Sequence, residues 1–105
     1  QATAGTREAA APPAARALAA LAPNPLNPSA RIRFELAAAE HVRLIVVDVA
    51  GREVAHLVDR ALPAGAHEAT WDGRMASGTR AASGVYLVVL EAGGARLSRR
   101  AVLLE

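Results

Sequence analysis

From residue 30 onward the chain is a succession of short runs with period-two alternation, each stopped at close spacing by a turn signal. That pattern constrains the fold more than any other feature. Residues 30–36 place Ile32, Phe34 and Leu36 on one face, with Arg31, Arg33 and Glu35 on the other. Residues 41–49 predict the next strand, Ala50-Gly51-Arg52 a tight turn, and residues 52–58 the returning strand of a hairpin. Leu62-Pro63-Ala64-Gly65 predicts a loop before a strand over 66–71, which sets His67, Ala69 and Trp71 against Glu68 and Thr70. Residues 72–82 read as a loop, 84–91 as the strongest strand, Gly93-Gly94 as a turn and 95–104 as the closing strand. Many short strands joined by glycine-bearing turns predict an all-β antiparallel sandwich, not a βαβ fold.

Composition narrows the core. The chain has 105 residues, enough for one domain with one modest core. It is 52% hydrophobic, but much of that is alanine, and there is one Phe, one Trp and one Tyr. Phe34, Trp71 and Tyr86 are therefore the expected core anchors among aliphatic strands.

Residues 1–22 differ from the rest: an Ala-rich arm with Pro12-Pro13 in its middle. Those prolines stop a helix arriving from upstream and suit the first turn of a new one. Residues 14–22 then have strong helix propensity, with Leu18 and Leu21 on one face. Nine residues make only a marginal helix in water. The arm is thus expected as a short helix or an extended segment packed on its own domain or on a neighbour, with the sandwich over 23–105.

Charge and cysteine content exclude several chemistries. All twelve basic residues are arginine and the net charge is +2. Arg31, Arg33, Arg43 and Arg52 alternate with apolar residues, which reads as solvent faces of strands and not as a nucleic-acid stripe. The absence of cysteine removes disulfides, thiolate catalysis and cysteine-ligated metal. No run of about twenty apolar residues suggests a membrane span, and no signal-peptide pattern opens the chain. Gln1 reads either as a processed N-terminus or as the start of a piece of a longer chain.

Four stretches in fixed order carry a family resemblance. Pro23-Asn24-Pro25-Leu26-Asn27-Pro28, residues 46–54, Thr70-Trp71-Asp72-Gly73-Arg74 and Ser83-Gly84-Val85-Tyr86 together resemble the Ig-like domain of flagellar hook-capping proteins. The same motifs are similar to the C-terminal sorting domains of bacterial secreted proteins. The resemblance spans 23–105 and implies an Ig-like, fibronectin III-like sandwich of about seven strands that does no catalysis. It also implies a scaffold module, or a signal for type IX secretion and surface attachment. The chain departs from the family pattern at Leu26, usually aromatic, at Val47, usually Tyr, and at Ile45 and Val89, commonly polar.

Candidate chemistry is sparse. His41, His56 and His67 fall on three strands at no ligand-like spacing. Asp48, Asp72, Asn24 and Asn27 lie near turns without the dense acidic spacing of a calcium loop. Ser29, Ser77, Ser83 and Ser98 lack a paired His and carboxylate pattern, and Ser83-Gly84 is followed by no helix. No catalytic residue, metal or cofactor is expected. Trp71 reads as a core plug, with a carbohydrate platform as the alternative.

Residues 44–47 and 86–90 are apolar on both faces, which breaks the usual one-sided pattern of a sandwich strand. Their outer side chains, Ile45, Val47 and Val89, predict an oily patch, and Leu18 and Leu21 of the arm are the right chemical type to cover it. The first functional expectation is a non-catalytic extracellular subunit that self-assembles through that pairing, as a homo-oligomer, filament or surface structure. The alternative is a C-terminal sorting or anchoring domain of a larger secreted protein, with the segment from Ser83 to the end read by a secretion machine. A carbohydrate-binding module ranks between these and any enzyme.

Overall fold

The computed structural model describes residues 16–27 and 29–104; the start of the arm, with Pro12-Pro13 and Ala14, lies outside them. Among the described residues there are seven strands and no helix. They are β1 (Arg16–Leu18), β2 (Ala30–Leu36), β3 (Glu40–Asp48), β4 (Glu53–Leu62), β5 (Gly65–Trp71), β6 (Gly84–Ala92) and β7 (Ala95–Leu103). Two antiparallel sheets form, in the orders β1-β2-β5 and β4-β3-β6-β7.

Alternation builds the core between the sheets. One sheet contributes Leu18, Ile32, Phe34, Leu36 and Trp71; the other contributes Val42, Leu44, Val46, Val88, Leu90, Ala101 and Leu103. Trp71 is 1% exposed and lies edge-on to Tyr86, with ring centroids 5.3 Å apart. Each ring also satisfies its polar atom locally. The Trp71 Nε1–H donates to the Arg74 carbonyl at 2.9 Å, and the Tyr86 hydroxyl donates to the Ala82 carbonyl.

The described end of the arm is extended, not helical. Arg16–Leu18 pairs with β2 from Leu36 to Phe34. Beyond it, the Ala19 N–H donates to the Arg33 carbonyl, and Ala22 and Arg31 exchange both of their backbone bonds. A short helix satisfies only itself, whereas this edge offers backbone partners and a core for two side chains. Leu18 and Leu21 are each 4% exposed and belong to the inter-sheet core, at roughly 1.5–3 kcal/mol for each leucine side chain buried. They do not cover Ile45, Val47 and Val89. The packed unit thus includes residues on the N-terminal side of Pro23.

The proline-asparagine stretch closes part of the other sheet's edge. Asn24 Oδ1 accepts the Val102 N–H at 2.8 Å, and Asn24 Nδ2 donates to the Arg100 carbonyl at 3.0 Å. The Leu26 N–H donates to the Val102 carbonyl at 3.0 Å. One side-chain amide and one backbone group thus substitute for a further strand on β7. Leu26 itself is buried.

The β3–β4 turn is held by Asp48. Its Oδ1 accepts the N–H groups of Ala50 and Arg52, both at 2.9 Å, and its Oδ2 accepts Arg52 Nε at 3.2 Å. Gly51 supplies the φ of 88° that the turn requires. The Arg52 backbone bond is the main reason that the Asp48 carboxyl titrates below its usual range, with the Arg52 side chain and the Ala50 N–H adding to it. A depressed folded-state pKa stabilises the fold above the ordinary carboxylate pKa of about 3.9, and that contribution is lost as the pH falls through the lowered value. Urea midpoints of the parent and Asp48→Ala are therefore expected to differ at neutral pH, to begin to approach one another near about pH 4, and to converge only once the pH is below the lowered value. A gap that stays constant on acidification would remove the ionised Asp48 carboxylate from this account.

Candidate interaction surface

The outer face of the four-stranded sheet carries the apolar residues that the alternation rule sends away from the core. Cross-strand pairing arranges them in rows over β4, β3, β6 and β7. One row is Glu53, Val47, Leu87, Arg100; the next is His56, Ile45, Val89, Ser98; the third is Asp59, Arg43, Glu91, Arg96.

Ile45, Val47 and Val89 form a cluster of their own, and each is 5% exposed or less. They are not an open patch. The reason lies in the charges around them. Arg43 Nη1 donates to Glu91 at 3.1 Å, and Arg43 Nη2 donates to Glu53. Arg43 and Glu53 sit in rows on either side of the Ile45 row, so their ion pair spans that row. His56 Nε2 lies 2.8 Å from the second Glu53 oxygen, and Arg96 lies 3.5 Å from Glu91. Its hydrogen bond to Glu91 is the first reason that the Arg43 guanidinium holds its proton more tightly than usual. Exposed ion pairs contribute little by themselves, about 0–1 kcal/mol. The larger effect is that a long arginine stem lies over apolar surface.

Four of the apolar side chains that do meet solvent lie toward one end of the same sheet. Val49 is 81% exposed, Leu104 57%, Val85 41% and Leu87 36%. Register brings them together: Val85 pairs with Val102, Leu87 with Val47 and Arg100, and Gly84 with Leu103, next to Leu104. Val49 follows Asp48, the partner of Tyr86. Sequence reasoning missed this end of the sheet, although the two-faced run 86–90 and the alternation of Val102 with Leu103 and Leu104 were the signal.

The remaining candidates do not converge. His41 pairs with Asp59 at 2.7 Å, His56 with Glu53, and His67 with the Pro63 carbonyl at 2.8 Å while stacking on Phe34. Among the described residues no group of three or more His, Cys, Asp or Glu is placed to hold a metal ion. No helix there is long and apolar enough to cross a membrane. Trp71, buried in the core, offers no platform for a sugar ring. A wide cleft of about 1130 Å³ runs between β1, β2, β5 and β7, lined by Leu18, Phe34, His67, Leu97 and Arg99 among others. Several of its polar groups are already engaged: Arg99 Nε donates to the Leu18 carbonyl at 2.7 Å, and Arg33 pairs with Glu68 at 3.2 Å.

Two facing antiparallel sheets around one core, with seven described strands, define an Ig-like β-sandwich. The chain matches the FlgD Ig-like domain family over residues 24–95, more than half of its length, and it belongs to that family. Among solved structures it is similar to dimeric latent PorU from Porphyromonas gingivalis, with a TM-score of 0.65 and 20% identity. That likeness covers 85% of this chain and 9% of PorU, and it speaks for the fold alone. It is also similar to PorZ, an essential bacterial surface component of the type IX secretion system of the same organism. Here the TM-score is 0.55 and the identity 25%, over 81% of this chain and 11% of PorZ. The chain therefore spans about a tenth of the length of each. A comparison with curated protein sequences found no match.

Proposed function

We propose that this chain is a non-catalytic sorting or anchoring module of a secreted bacterial protein, read by a type IX secretion or surface-attachment apparatus. The observation that carries the reading is the likeness to a small segment of PorZ, a surface component of that system, in a chain that belongs to the FlgD Ig-like family. A sandwich whose three histidines are each engaged at a different place, and whose Glu53 and Glu91 are tied up by Arg43, supports a binding role over chemistry. In this reading the domain acts outside the cell or at its surface and requires no cofactor.

The test is to attach residues 1–105 to the C-terminus of a periplasmic reporter in a bacterium with a type IX system. The reporter is expected on the surface or in the medium, and in the periplasm when the system is disabled. Periplasmic retention with an intact system would sink the proposal. Self-assembly is the second reading, favoured by the exposed apolar end of the outer face. The pairing of Leu18 and Leu21 with Ile45, Val47 and Val89 no longer supports it, because both leucines are used in the domain's own core.

A further inference from the structure

Among the described residues, five large apolar side chains are notably exposed, and four of them lie at one end of the four-stranded sheet: Val85 and Leu87 on β6, with Val49 and Leu104 just past the ends of β3 and β7. Isolated exposed apolar residues are ordinary; four at one place mark a contact surface. The patch has a basic rim. Arg52 sits at the β3–β4 turn with its side chain 85% exposed, although its Nε bonds Asp48. Arg100 pairs across from Leu87, and among the described residues no ion pair to a carboxylate is found for it.

These features separate the possible occupants. Four partly exposed aliphatic side chains amount to a few hundred Å² at most, whereas a stable dimer buries about 800 Å² on each partner. A second copy docking face to face would also set the arginine rim against itself, which opposes association. An apolar protein surface with an acidic rim satisfies both parts of the patch, and a contact this small releases readily. We propose that Val49, Val85, Leu87 and Leu104, rimmed by Arg52 and Arg100, are a transient docking site for such a surface on the export or attachment apparatus. The proposal rests on the sorting reading given above and adds the place of contact and the chemistry of the partner.

The experiment uses the same reporter carrying the full chain, with the double variant Val85→Ser/Leu87→Ser, the rim variant Arg100→Glu and the control Met75→Ser, an exposed apolar position outside the patch, in the loop between β5 and β6. All four positions are at the surface, and thermal melting confirms that each variant is folded. Surface delivery is expected to fall about tenfold or more for the double variant and several-fold for Arg100→Glu, and to be unchanged for Met75→Ser. Delivery by the parent and the double variant at equal levels overturns the docking site while leaving the sorting reading intact. No delivery by the parent overturns both. Sedimentation of the purified chain supplies the last arm: a monomer is expected, and a dimer that the double variant dissociates would make the occupant a second copy and overturn the proposed partner.

Discussion

Replacing Trp71 with alanine is expected to lower the unfolding free energy by about 3–5 kcal/mol. The indole is almost fully buried, so its loss removes transfer energy and leaves a cavity that a small sandwich cannot collapse. It also removes the edge-on contact with Tyr86 and strands the Arg74 carbonyl, to which Nε1 donates. Domains of this size have about 5–15 kcal/mol in total, so a large share of the stability rests on one side chain. Because this is the chain's one tryptophan, unfolding has to be followed by far-ultraviolet circular dichroism in urea. Trp71→Phe keeps the ring and loses the donor, and should cost about 1–2 kcal/mol. A loss below about 1 kcal/mol for Trp71→Ala would show that the indole does not fill the core.

The second large effect concerns the arm. Leu18→Ala and Leu21→Ala are each expected to destabilise by about 2–5 kcal/mol. The two share one cluster, so the double variant need not equal the sum. Removing residues 1–22 goes further, since it opens the edge of β2 at Arg31 and Arg33 as well as two places in the core. That shortened chain is expected to be largely unfolded at 25 °C, or to associate through the exposed edge. Urea midpoints for the two alanine variants, and a melting curve for the shortened chain, decide the matter. Midpoints unchanged from the parent would mean that the arm is a tail outside the cooperative unit.

The strands were legible because alternation and turn chemistry agree. Ile32, Phe34 and Leu36 face the core, and Ala50-Gly51 turns the chain where expected. The sequence leaves helix and extended segment both open for the arm because helix propensity is a local property, whereas the fate of Leu18 and Leu21 is set by an edge and a core built from residues far along the chain. The outer face was half legible. Ile45 and Val89 do point away from the inter-sheet core, but their closure depends on which charges stand in the neighbouring rows. Irregular register between Leu44 and Ile45, and again between Val46 and Val47, places Glu53, His56 and Asp59 three residues apart opposite this face. Simple period-two counting along β4 does not bring Glu53 within reach of Arg43. Nor does a single sequence reveal that β6 lies between β3 and β7, which decides that Leu87 sits beside Val47.

Asn24 has a consequence for solubility. An unpaired strand edge is a template on which another chain can grow a sheet. On β7 the Arg100 carbonyl and the N–H and carbonyl of Val102 are already taken by one side-chain amide and the Leu26 N–H. A passing strand finds both backbone groups of Val102 and the Arg100 carbonyl engaged, which opposes growth of a cross-β stack on this part of the edge when identical copies are crowded together.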